Sequence, residues 1–199
     1  MRAEPSPRLG RVRWKRFALI MVPSAVVAAA LIGLTAEGAI GANISVSGQE
    51  YTVTANQLSG SGFEQFGTTV KSGDKQIPVA ESAIRSAKLT NLCQAVKVGS
   101  VTLLLRAGRS SGNPVSASNL IVDASSLSGD ASFRNIAIGQ DAGTLNQVPG
   151  TTGTPGSFGE QADTITINHL VQHTWLTTAG TFTLPGLSLG ISTNGGSCP

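Results

Sequence analysis

Aromatic residues are scarce in this chain, with six Phe, two Trp and one Tyr among 199 residues. Charge is scarce as well, at 13 % of residues. Without a basic stripe and interleaved aromatics there is no footprint of a nucleic-acid surface, and no nucleic-acid partner is expected. Only two Cys occur, and they form no C-x-x-C pair, which argues against a structural zinc site. No D-x-D-x-D-G calcium loop is present. The Gly-rich stretch Leu58-Ser-Gly-Ser-Gly62 precedes no helix and carries no Lys where a phosphate-binding loop needs one, so it reads as a turn. No metal and no cofactor are expected.

The charge that is present is unevenly placed. Arg2, Arg8, Arg11, Arg13, Lys15 and Arg16 supply six of the 14 cations, while from Asn43 onward eight Lys and Arg meet nine Asp and Glu. Residues 1–16 therefore form a basic n-region. It leads into FALIMVPSAVVAAALIGL, Phe17 to Leu34, which is uncharged and broken only by Pro23, Ser24 and Gly33. About 20 apolar residues suffice to span a bilayer as a helix, and cations on the N-terminal side hold that end in the cytoplasm. Residues 17–36 are thus expected to be a transmembrane anchor with the C-terminal domain outside the cell membrane. The alternative is a signal h-region cut before Ala42, after Ala39-Ile40-Gly41, giving a secreted protein. An even cysteine count in an exported chain predicts one disulfide, Cys93 to Cys198. Closing that loop of about 105 residues is worth roughly 4 kcal/mol on the chain-entropy model.

Residues 43–199 read as one mainly β exported domain. Apolar and polar residues alternate over 44–48 and again over Tyr51-Thr-Val53-Thr-Ala55, one residue out of phase, which predicts a bulge at Gly48-Gln49. The pattern returns at Val101, Leu103 and Leu105, at Leu120, Val122 and Ala124, at Ile136 and Ile138, at Ile165 and Ile167, and at Leu187, Leu189 and Ile191. Twenty-four Gly separate these runs, and many short strands with turn chemistry between them predict a β-sandwich or a coil of β turns. Residues 77–96 carry Ala80, Ile84 and Ala87 near helical spacing and are the one soluble helix the sequence offers, with strand over 83–92 as the alternative. Residues 142–161, rich in Gly, Thr and Pro, read as a flexible loop. The form V-x-A-x-x-L-S-G occurs at Val53 to Gly60 and at Val122 to Gly129, each with a Phe beyond, which points to an internal duplication.

The order ANISVSGQEYTVTANQLSGSGFEQFG, SAKLTNLCQAV, VTLLLRAG, VSASNLIVDASSLSGDASFRNIAIGQDA and a terminal Cys resembles a family of small exported actinomycete proteins of undetermined function, members of which are sometimes labelled cholesterol esterase. The resemblance implies an envelope protein near lipid, and it brings no catalytic residue with it.

Two features carry candidate chemistry. Gly108-Arg-Ser-Ser-Gly112 matches the G-x-S-x-G pattern of serine esterases, and Asp123 or Asp141 followed by His169 or His173 keeps the Ser, Asp, His order. A nucleophile elbow also needs a helix after Ser110, yet Pro114 and the strand-like NLIVD follow, so a turn is expected there. His169 and His173 fall on one predicted strand face with Ile165, Ile167, Val171 and Trp175, without a third ligand. The reading favoured is an exported, membrane-anchored envelope protein with a structural, lipid-binding or partner-binding role and no evident catalytic site. The alternative is a serine hydrolase of lipid (sterol) esters acting through Ser110.

Overall fold

The alternating runs become strands, and four of them are much longer than the sequence pattern marked. In a computed structural model the described residues are 48–110, 112–193 and 195–198; the basic and apolar segments 1–36 and the run 44–47 lie outside them. The elements are β1 (Tyr51–Ser72), β2 (Lys75–Thr90), β3 (Leu92–Val98), β4 (Val101–Ala107), β5 (Val115–Arg134), β6 (Ala137–Asp141), a 3-10 turn (Ala142–Thr144), β7 (Phe158–Thr178), β8 (Thr181–Thr183) and β9 (Ser188–Ser192). Every pairing is antiparallel. β1 pairs with β2, β2 with β5, β5 with β7, and β7 with β1, so the four long strands close into a ring. The domain is a small four-stranded barrel with additional strands, neither of the two architectures expected from the sequence. The path across paired residues leaves β1 at Gly67, passes Ala80, Ala124 and Thr174, and returns to β1 at Tyr51. So large an offset means steeply tilted strands.

A four-stranded ring needs sharp coiling, and the residues that supply it are identifiable. In β1, β5 and β7 the inward positions step by three instead of two, from Gly60 to Phe63, from Ala117 to Leu120 and from Ile167 to Leu170. These three steps span a residue in the left-handed region, Gly62 (φ 67°), Asn119 (φ 46°) and His169 (φ 54°), whereas the steps paired with two of them, Ala55 to Leu58 on β1 and Ala162 to Ile165 on β7, span none. One such residue reverses the alternation of faces and kinks the strand. β2 makes the matching step from Ile84 to Ala87. This step is the source of the near-helical spacing in residues 77–96, and no helix forms there. Asn is among the few side chains that tolerate this conformation, and Asn91 (φ 53°) and Asn135 (φ 54°) use it to join β2 to β3 and β5 to β6.

The bore is narrow and is filled accordingly. Val53, Leu58, Phe63, Ile84, Leu120, Ile165, Ile167 and Leu170 alternate with the small Ala55, Ala87, Ala117 and Ala162. A Cβ at Gly60 would sit 2.5 Å from Ile84 Cγ2, so nothing larger than Gly fits at that crossing. The two copies of V-x-A-x-x-L-S-G lie on β1 and β5, which flank β7, and their Phe63 and Phe133 rings pack with centroids 5.4 Å apart.

Residues 142–161 are more structured than a bare loop. Ala142, Leu145 and Val148 are buried, Phe66 packs with the first two, and the last four residues belong to β7. Beyond the ring, Thr52–Thr54 of β1 pair with β3, β3 pairs with β4, and β4 pairs with the edge strand β9. The Cys93–Cys198 disulfide is present, with a Cα–Cα distance of 5.7 Å.

Candidate functional site

The residues singled out as chemistry are dispersed over the barrel. Ser110 is exposed in the turn between β4 and β5, where its carbonyl accepts a hydrogen bond from Asn113 N at 3.0 Å. β5 begins at Val115, so a strand stands where an elbow would need a helix. His169 meets Asp130 at 2.9 Å on the surface, with side chains 83 % and 76 % exposed. His173 Nδ1 lies 3.4 Å from Thr52 Oγ1. Asp141 caps the 3-10 turn, its Oδ1 accepting from Gly143 N and Gly156 N, both at 2.8 Å. Among the described residues no hydrogen bond joins Ser110 to either histidine or to Asp123 or Asp141.

The predicted strand face is corrected as well. Ile165 and Ile167 are buried, but after the left-handed His169 the buried positions are Leu170, Gln172 and Thr174. His169, Val171 and His173 therefore face solvent while the isoleucines face the core.

The most perturbed groups were not singled out by the sequence. Glu81 on β2 and Asp123 on β5 are direct cross-strand partners. Asp123 is 5 % exposed, and its Oδ1 has no hydrogen-bond partner among the described residues. Burial raises the Asp123 carboxyl to about 6. Burial, with the negative charge of Asp123 added, raises Glu81 to about 7. Tyr51 is pushed up mainly by burial, against its 2.8 Å hydrogen bond to Thr177 Oγ1 and with Asp123 contributing. The pair therefore takes up protons as pH falls through about 7 to 6. What hid it from sequence reading is its spacing: two acids 42 positions apart meet only through the β2–β5 register.

A second buried acid serves the fold. Glu64 is fully buried, and its Oε1 accepts from Val148 N at 2.7 Å. Burial raises this carboxyl against the backbone hydrogen bonds of Val148 and Gln147 and the positive charge of Arg85. Arg85 in turn donates to the Gln147 carbonyl, with Nε at 2.9 Å. The contacts latch the 142–157 segment onto β1 and β2.

The remaining feature is an apolar sheet face. Paired residues of an antiparallel sheet project to the same side, and the pairs Val98–Val101, Val96–Leu103, Leu103–Ile191 and Leu105–Leu189 line one side of β3, β4 and β9. Leu105 reaches the barrel core, whereas Leu189 and Ile191 are 68 % and 70 % exposed. The C-terminal tail covers the other side, where a Cβ at Gly196 would meet Leu104 Cδ1 at 2.8 Å and Gly196 N donates to Ser192 Oγ at 3.0 Å.

Among the described residues, then, this is a closed antiparallel β-barrel domain with a cross-strand carboxyl pair, one member buried and the other half-buried, and an open apolar sheet face. The family of unknown function DUF6230 matches residues 47–199, and the chain belongs to that family. No curated protein and no solved structure matches it.

Proposed function

We propose that the protein is an exported, membrane-anchored envelope protein whose outer domain has a structural, lipid-binding or partner-binding role, with no evident catalytic site. The apolar face of β3, β4 and β9 supports this most directly, because soluble monomers seldom leave a contiguous apolar patch uncovered. Export draws support from the basic and apolar segments 1–36 and from the Cys93–Cys198 bridge, which persists in oxidising compartments. The turn around Ser110, with a strand after it, supports a role without a nucleophile.

The test is fractionation of cells expressing the full chain. Retention in the membrane after high-salt and alkaline washes, digestion of the domain by protease added from outside, and co-purification of a defined lipid or protein are expected. A cytoplasmic chain would overturn the proposal, and so would ester hydrolysis by the wild type that Ser110→Ala abolishes.

A further inference from the structure

We propose that the wall of the barrel carries a saccharide site, a cleft between the kink of β7 at His169 and the corner at Asn91 that joins β2 to β3, suited to a neutral sugar ring. The site is separate from the role proposed above, and its failure would leave that role standing.

Register assembles the site. β1 and β7 pair at Ala55–Leu170 and at Gln57–Asn168, and the position between them, Asn56 opposite His169, is skipped. Along the other edge of β1 the last pair with β2 is Gln57–Thr90, after which Asn91 leads the chain into β3. Asn91, Asn56 and His169 thereby stand side by side. Asn91 Nδ2 donates to Asn56 Oδ1 at 3.2 Å, and His169 Nδ1 meets Asp130 Oδ2 at 2.9 Å. A cleft of about 290 Å³ opens beside them, lined by Asn56, Asn91 and His169 together with Thr54, Leu170 and Val171.

The backbone here is specialised. Among the described residues four other than Gly are left-handed, and two of them, Asn91 (φ 53°) and His169 (φ 54°), line this one cleft. Residues held in that region gather at ligand clamps. His169 also lies where the pairing of β5 with β7 shifts, between Ser128 and Asp130. Gly129 occupies the shift, and a Cβ there would come within 2.8 Å of the Asn168 carbonyl oxygen. Bulges of this kind re-aim side chains beside binding sites. This one sets Asp130 against His169 Nδ1, which orients the ring and leaves Nε2 outside that contact.

The chemistry of the lining selects the ligand. Among the described residues no Asp, Glu, Lys or Arg lines the cleft, so a charged ligand would lose its hydration without gaining a counter-charge. Carboxamides both donate and accept, as sugar hydroxyls do. Gln57 and Asn168, joined at 2.9 Å, extend the bank of amides next to Asn56 and His169. Leu170 and Val171 offer aliphatic surface to the C–H face of a ring. An acyl chain would strip water from the amides and replace none of its hydrogen bonds. A volume of about 290 Å³ stands at the small end of ligand pockets, which run from about 300 to 1,000 Å³, and suits a ring and not a folded partner.

The experiment uses the full chain in micelles of a sugar-free detergent and reads saturation-transfer difference NMR from protein to added sugar. The probes are the methyl glycosides of glucose, galactose, mannose and N-acetylglucosamine, each at millimolar concentration, and the linear tetrasaccharides of the same sugars. Transfer to the ring protons of at least one of them is expected. Asn56→Ala, and His169→Gly, which suits a left-handed position, should each weaken the apparent Kd of that sugar at least fivefold. An unchanged thermal midpoint and an intact Cys93–Cys198 bridge check that each variant has folded, and Asn56→Ala decides the matter if His169→Gly does not fold. Equal affinity for a glycoside and its tetrasaccharide would support the site and assign it a free sugar, and tighter binding of the tetrasaccharide would support it and assign a glycan. Transfer to none of the sugars, or transfer that the folded variants leave unchanged, would overturn the site.

Discussion

Asp123 sits beside Glu81 and is raised by burial, so each ionisation in the folded domain works against burial and, for Glu81, against the other charge. Both carboxyls titrate higher in the folded domain than in the unfolded chain, at about 7 and about 6 against 4.5 and 3.8. The folded state therefore binds these protons more tightly, and the pair favours folding fully at acidic pH. Stability falls as pH rises through roughly 4 to 7, and above that the full cost of one buried and one half-buried charge is present. Glu64 and Glu160, both raised mainly by burial, act in the same direction. Asp123→Asn keeps the shape and removes one charge. It is expected to raise stability at pH 8 by about 1–3 kcal/mol and to flatten the dependence between pH 5 and 8. Thermal unfolding of the two proteins across that range checks both, and a wild-type midpoint that climbs with pH would contradict them.

Among the elements, the 142–157 segment depends on a few polar contacts. Asp141 holds its two ends through Gly143 N and Gly156 N, and Glu64 holds its middle through Val148 N. Asp141→Ala is expected to cost about 1–2 kcal/mol. It should also speed amide exchange over 142–148 while leaving the barrel strands protected, which hydrogen exchange resolves segment by segment. The strands themselves were largely legible, because Val101 to Leu105, Leu120 to Ala124 and Ile165 to Ile167 do alternate. What the pattern concealed is where alternation reverses. His169 carries no local sign that its backbone is left-handed, so strict alternation puts Val171 and His173 on the wrong face. Ile84 and Ala87 imitate a helix because the inward step between them is three residues instead of two. Closure of the ring was illegible too, because antiparallel partners more than a hundred residues apart leave no local trace. The Gly and Thr content of 142–161 conceals Leu145 and Val148, both of which are buried.

For the whole molecule, the disulfide fixes the end of the chain to the first strand outside the ring. Cys93 is buried on β3, and Cys198 brings the tail against Leu104 and Ser192. Cys198→Ser is expected to lower unfolding free energy by about 2–4 kcal/mol. Urea titration of the variant should match that of the reduced wild type, and equal midpoints for oxidised and reduced wild type would contradict the expectation. The closed ring also dictates an order of events in time. Its seam joins β1 to β7, and the Tyr51–Thr177 hydrogen bond spans 126 positions. A chain emerging N-terminus first can form the β1–β2 hairpin at once, but it cannot seal the barrel until β7 has been delivered. Loop closure across so many residues makes that step slow. Cys198 follows β7 in the chain, so the Cys93–Cys198 bond can be made only once the strands of the ring are all available. Appearance of the bridge during biogenesis would then serve as a clock for maturation.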